Sequence, residues 1–255
     1  MKITLIRNAT LWLEYGGLNW LVDPSFADQG STPAIPHVPD SRPNPLVPLP
    51  ATAESLSSPD ILLLTHLHPD HWDEPAAKAL LAGRGGSELP ILAQPGDRER
   101  IASFGFSDVT EIEKTLTYRD VTITRTSGQH GIGEIGQKMG RVSGFVLRAR
   151  NEPTLYIAGD TIWCDDAVQA LDTHRPDVTV VNAGGAQFGE GDPIIMTPED
   201  VASLCRHNAD TAIVAVHLEA INHCQTTRET LASEMKQQGL QDRVRIPADG
   251  ETLAF

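Results

Sequence analysis

The chain has 255 residues, 40% of them hydrophobic and 21% charged, proportions that sustain a sizeable buried core and exclude wholesale disorder. Its 34 acidic residues against 20 basic ones leave a formal charge of −14 with no block of Lys and Arg, so the basic surface that phosphate neutralisation needs is missing and nucleic acid is excluded as a partner. Three cysteines cannot build a disulfide framework, no apolar run approaches the roughly 20 residues that span a bilayer, and the opening MKITLIRNAT lacks a signal-type apolar core, which together predict a cytoplasmic protein with no integral membrane segment.

Along the chain, KITLI, TLWLEY and LNWLVD read as short strands, the last two joined by a turn at Gly16 and Gly17. From about 24 to 59 the sequence holds nine of its 18 prolines and neither a helical nor a strand period, which predicts a long ordered loop of the kind that forms lids and pocket walls. ILLLT then reads as a strand covered on both faces, because its apolar run does not alternate. Asp73, Glu74 and Pro75 open a helix that Gly83 closes. Further strands are expected at VTITRT, VSGFVLRA, TLYIA, VTVVN and TAIVAV, and a helix at TPEDVASLCRH behind a Thr197 to Asp200 capping box. Strands and helices therefore alternate, an α/β pattern without repeats or an obvious linker, and one domain over 1–255 is the economical reading.

The segment ILLLTHLHPDHWDEP, Ile61 to Pro75, carries the densest chemistry. His66 and His68 are two apart at the end of a strand, so an extended backbone points both imidazoles the same way, which makes half a metal site. Asp70 and His71, adjacent in sequence, cannot easily complete the same shell, but they can begin a second one beside it. Further ligands should hang from other strand ends, where a rigid sheet aims them. His130 after VTITRTSGQ, Asp160 after TLYIAG and His217 after AIVAV are candidates of suitable type.

In this order, LVDP, THLHPDH, GQHG, AGDT and the late VH make the whole chain resemble the metallo-β-lactamase superfamily, and most closely the branch of ascorbate-6-phosphate lactonase and the N-acylphosphatidylethanolamine phospholipases D. The resemblance implies a four-layer αββα sandwich with metals along one edge of its two sheets. It also implies one metal on His66, His68 and His130, a second on Asp70, His71 and His217, and Asp160 between them. Two divalent cations, two carboxylates and a bridging hydroxide leave roughly one net positive charge, suited to an oxyanion. Metal binding would bring water from a pKa of 15.7 to about 7, supplying a metal-bound hydroxide with Asp70 to orient it. Imidazole and carboxylate ligands suit zinc, the default here, and also manganese and iron.

The expected activity is hydrolysis of a lactone or other ester of a small polar metabolite, with phosphodiester hydrolysis second. A β-lactam role sits poorly with the missing export signal. A diiron redox protein should carry Glu in place of the second histidine and a flavin domain. A non-catalytic metal-binding module should have closed shells, usually rich in cysteine. His223 is a candidate second-sphere partner or leaving-group acid, whereas Cys224 and Cys164 read as small buried residues. Lys138, Arg141 and Arg228 are the basic residues nearest the ligand segments and leave an anionic substrate open. GIGEIG, Gly131 to Gly136, matches a dinucleotide pattern but leads towards a strand, so it reads as a flexible loop, while the glycine-rich NAGGAQFGEGDP should border the cleft. His37 reads as solvated, and His174 and His207 as helix C-terminal residues. Self-association, common among relatives, leaves a homo-oligomer open.

Overall fold

The computed structural model describes residues 1–189 and 191–255; Glu190, within the glycine-rich stretch after Asn182, lies outside the described residues. The strands are β1 (Lys2–Arg7), β2 (Thr10–Tyr15), β3 (Leu18–Val22), β4 (Ile61–Leu64), β5 (Ile91–Ala93), β6 (Val109–Glu111), β7 (Thr115–Tyr118), β8 (Val121–Ser127), β9 (Ser143–Ala149), β10 (Leu155–Ile157), β11 (Val178–Asn182), β12 (Ala212–Val216), β13 (Val244–Arg245) and β14 (Thr252–Ala254). The helices are α1 (Glu74–Ala82), α2 (Arg98–Ser103), α3 (Gly133–Met139), α4 (Asp165–His174), α5 (Pro198–His207) and α6 (Arg228–Gln237). One sheet runs β14-β1-β2-β3-β4-β5-β6 and the other β13-β12-β11-β10-β9-β8-β7. In each, an antiparallel meander gives way to parallel strands, at β3/β4 in the first sheet and at β10/β11 in the second.

Side-chain alternation builds the layers. Ile61 and Leu63 of β4 face the core between the sheets, where they join Phe145, Leu147, Val180 and Val214 of the second sheet. Leu62 and Leu64 point the other way, into a cluster with Ala76, Ala77 and Leu80 of α1 and Ile101 of α2. Both faces of β4 are thus covered, which is why its sequence is uniformly apolar. On the second sheet, Val214 and Val216 of β12 face inward while Ile213 and Ala215 meet α4, α5 and α6. The result is the expected αββα sandwich.

The capping predictions hold in detail. Asp73 accepts the Ala76 amide at the start of α1, and Thr197 and Asp200 form the reciprocal box on α5. GIGEIG departs from its expectation: it does not stay a loop but turns into the short helix α3 before β9 begins. The segment still lacks a dinucleotide context, because β8 and β9 on either side are antiparallel rather than the parallel pair of a βαβ unit.

The proline-rich stretch is an ordered strap. Buried Arg7 donates to the carbonyls of Ser25 (2.9 Å), Ala27 (3.0 Å) and Val47 (3.2 Å), tying the strap's start and its later part to β1. Its middle is closed by the Thr32–Asn44 bridge. Asn44 Nδ2 in turn donates to Asn222 Oδ1 at 2.8 Å and its Oδ1 accepts the Asn222 backbone amide at 2.9 Å, so that the strap meets the loop after β12. No helix of the described residues is long and apolar enough to cross a membrane.

Candidate metal centre

All seven predicted ligands meet at one edge of the sandwich, beyond the C-terminal ends of β4, β10 and β12 and past the end of β8. Three sets of ligand atoms lie within 4.8 Å of one another: His66, His68 and His130; His66, His71 and Asp160; Asp70, His71 and His217. Asp160 sits between the two histidine groups. Its Oδ2 is 3.2 Å from His71 Nε2, 3.4 Å from His130 Nε2 and 3.8 Å from His66 Nε2, and its Oδ1 is 3.9 Å from His217 Nε2. Gly159 makes this approach possible. Its φ is +69°, and a Cβ there would come within 2.6 Å of the Ser143 carbonyl oxygen.

Four of the five rings are held by their remote nitrogens. His71 Nδ1 donates to Asp23 Oδ2 at 2.9 Å, and His130 Nδ1 donates to the Ile194 carbonyl at 2.8 Å. His66 Nδ1 lies 3.0 Å from Thr65 Oγ1, whose proton goes to Asp23 Oδ2 at 2.6 Å. His217 Nδ1 is 3.4 Å from Cys224 Sγ, and its Nε2 is 3.1 Å from Asp70 Oδ2. Such remote contacts set the tautomer and leave the other nitrogen as a lone-pair donor. Asn182, at the end of β11, donates to Asp160 Oδ1, and Asn8 donates to the Asp70 carbonyl at 3.1 Å.

Asp23, Asn182, Thr65 and Cys224 contact the cluster without being among the sequence candidates for it. Asp23 stands in the LVDP motif, and Asn182 closes an apolar strand with a polar side chain, so both left a signal in the sequence. Cys224, expected as a small buried residue, lies against a ring of the cluster.

The electrostatics divide the site into two halves. Burial, with the nearby His71 charge, pushes His66 well below its ordinary pKa; burial also lowers His68 and His130. These three present neutral imidazoles. Burial alone would raise Asp70 and Asp160, but His71 and His217 overcome it and hold both carboxyls well below the usual range. For His71, burial works downward while Asp160 and Asp70 lift the ring to about 10; for His217 burial is likewise overcome, by Asp160 and Cys224, and the ring is held well above its ordinary value.

The donor set fits divalent cations. Imidazoles and carboxylates converge without lysine or arginine among them, and His71 Nε2 is a buried ring nitrogen without a hydrogen-bond partner despite its proximity to Asp160. A measurable consequence follows from the lifted histidines. With His71 lifted to about 10, the metal-free site at pH 8 holds a proton on that ring which cation binding must displace, so metal loading is expected to release at least one proton. Titration in weakly buffered solution with a pH indicator measures this; loading without proton release would contradict the assignment of His71 as a ligand.

His223 is buried beside the cluster, its ring 6.4 Å from that of His217 and 5.9 Å from Phe188, with Nδ1 unpartnered. Of the basic candidates, Arg228 is engaged by Glu219 and Asp249, both at 2.5 Å. Lys138 and Arg141 are exposed. His37 is exposed as well, while His174 and His207 end α4 and α5.

The profile of the Beta-lactamase superfamily domain matches residues 19–218. A UPF0173 protein of Bacillus subtilis, YddR, is 33% identical over 259 residues, covering 100% of both chains. Among solved structures, the isothiocyanate hydrolase from Delia radicum gut bacteria is 38% identical with a TM-score of 0.93, over 100% of this chain and 99% of that one. A possible metal-dependent hydrolase from Veillonella parvula is 32% identical, also with a TM-score of 0.93 and the same coverage.

Proposed function

The chain belongs to the beta-lactamase superfamily, as a UPF0173 metal-dependent hydrolase, and on that premise we propose that it adds water to the electrophilic carbon of a small uncharged compound, an isothiocyanate first among them. The observation that carries the reading is the convergence of two ligand triads on the single carboxylate of Asp160. His66, His68 and His130 would hold one divalent cation and Asp70, His71 and His217 a second, with Asp160 shared; zinc is the default, manganese and iron the alternatives. Such cations, when bound, polarise the electrophile and bring a water pKa from 15.7 to about 7.

The chain's own groups divide the remaining work. Asp70, whose side chain keeps 19% exposure while its Oδ2 touches His217, stands where an attacking water would reach it, and orients that water. Asn182 and Asn8 hold Asp160 and Asp70 in register. His223, outside the ligand set with its ring 6.4 Å from that of His217, would hand a proton to the leaving atom. For an isothiocyanate, water adds across the carbon of R–N=C=S, and the thiocarbamate breaks its N–C bond to give R–NH2 and COS.

Two features support an uncharged substrate over a phosphorylated one. A cavity of about 650 Å³ reaches Asp70 from the strap side, and no Lys or Arg stands among the described residues that line it. Arg228, one of the three basic residues nearest the ligand segments in sequence, is spent on two carboxylates. Lactone and ester hydrolysis, the chemistry of the lactonase branch, needs the same carbon-centred attack and stays as the second reading.

The test is a panel of allyl isothiocyanate, a γ-lactone, a thioester and a phosphodiester, presented to protein of measured metal content. Turnover of the isothiocyanate above the others is expected, with His223→Ala lowering kcat at unchanged metal stoichiometry. Selective phosphodiester turnover would replace the proposal. Failure of every substrate with fully loaded protein would favour a non-catalytic metal-binding module, and a redox-active iron spectrum would favour diiron chemistry.

A further inference from the structure

We propose that the cavity between the proline-rich strap and the start of α1 receives the apolar substituent of the substrate, with Ile221 as the specificity-determining residue that sets its size. This rests on the reading that the reacting carbon lies at the metal cluster, and it adds the class of the remainder of the molecule: a neutral alkyl or aryl group.

The cavity begins at Asp70 and Pro69 and runs between Pro33, Ile35 and Pro45 of the strap, Pro75 of α1 and Ile221 of the loop after β12. Four of these walls are prolines, which have no backbone N–H to offer. Several of the polar groups on its rim are already engaged. Asp73 accepts from Ser25 Oγ, the Ala27 amide and the Ala76 amide, each at 2.8 Å. Asn44 is paired with Asn222. Glu74 meets Lys78 at 2.7 Å on the helix surface. What remains for a ligand is apolar wall edged by carboxylates, which favours hydrocarbon and repels an anion.

The wall is also preformed. Asn222, next to Ile221, donates from Nδ2 to the carbonyls of Ile35 (3.0 Å) and Asp40 (2.6 Å) and accepts the Ile35 amide at 3.0 Å. Leu46 N donates to the Ala220 carbonyl at 2.7 Å. These bonds clamp the strap and the His217 loop together on both sides of Ile221, whose residue is only 5% exposed. A side chain held this way cannot yield to a larger substituent, so its volume limits what fits.

The experiment uses metal-loaded enzyme and n-alkyl isothiocyanates from ethyl to hexyl, with a carboxylate-terminated hexyl analogue. kcat/KM is expected to rise about fourfold per methylene, mostly through KM, until the cavity is filled, and to fall for the carboxylate. Ile35→Asp should flatten the series at unchanged metal content, and Ile221→Ala should move the optimum to bulkier groups. A flat wild-type series, or a series that neither variant alters, overturns the proposal. If no isothiocyanate is hydrolysed, the reaction assigned above has failed, and the cavity is then read without turnover. The probes are 1-butanol to 1-octanol, followed on the Ile35 and Ile221 δ1-methyl resonances of the metal-loaded protein. Affinity that tightens with chain length and is lost in Ile35→Asp supports the pocket; unmoved methyl resonances overturn it.

Discussion

Replacing Asp160 by Asn is expected to lower kcat/KM by ~10³-fold or more, because the water pKa shift from 15.7 to about 7 depends on cations that this carboxylate helps to hold. The substitution keeps the shape and the neighbour Asn182, so lost charge rather than lost packing is what it tests. Four histidine nitrogens lie between 3.2 and 3.9 Å from the Asp160 oxygens, and no other carboxylate reaches both halves of the site among the described residues. Metal content should fall together with activity, measured on the same preparation. Retention of full stoichiometry with turnover within tenfold of wild type would remove Asp160 from the shared position. A second readout uses the metal-free protein. Asp160 is held well below the usual carboxyl range, so its ionised form stabilises the fold above the unfolded-state pKa of about 3.9, and that stability is lost as pH falls through the lower folded value. Asp160→Asn should remove this part of the acid dependence, and the pKa values of His71 and His217 should drop once the carboxylate that lifts them is gone.

Asp23→Ala should give the largest loss of stability, about 3–5 kcal/mol, because a buried charged acceptor is taken away from donors that stay behind. Asp23 accepts the Thr65 amide at 2.8 Å, Thr65 Oγ1 at 2.6 Å and His71 Nδ1 at 2.9 Å, and all three donors are buried. It also sits at φ +45°, a region that Asn and Asp tolerate better than other side chains, so alanine adds backbone strain. The loss should appear as a Tm decrease of roughly 10 °C. Asp23→Asn separates the two roles: it keeps the left-handed backbone and one acceptor, but weakens the hold on His71, for which a 10–100-fold loss of metal affinity is expected at a smaller cost in Tm. A metal affinity unchanged in Asp23→Asn would show that Asp23 serves the fold alone.

The ligand types were legible because a cluster of histidines at the end of an apolar strand has few bland explanations, and because His130, Asp160 and His217 each follow a β run. Their partners were harder to read. Asp23 precedes His71 by 48 positions and Asn182 follows Asp160 by 22, and each pairing exists only because strands bring their ends together. Helix α3 was missed because its seven residues include two glycines that weaken any local helical preference, so its existence depends on packing. The short strands β5, β6, β13 and β14, two or three residues each, have too few positions to show a period.

Local sequence by itself determined the α/β alternation, the helix caps and the chemical types crowded into His66–His71, since these follow from backbone propensity and from neighbours within a few residues. Only the tertiary structure decided that Asp160 stands between two histidine groups, that Cys224 backs His217, and that a strap of prolines walls an apolar cavity against Asp70. The reason is physical: burial and proximity to other charges set what an imidazole or a carboxylate does, and both are properties of packing between segments far apart in the chain.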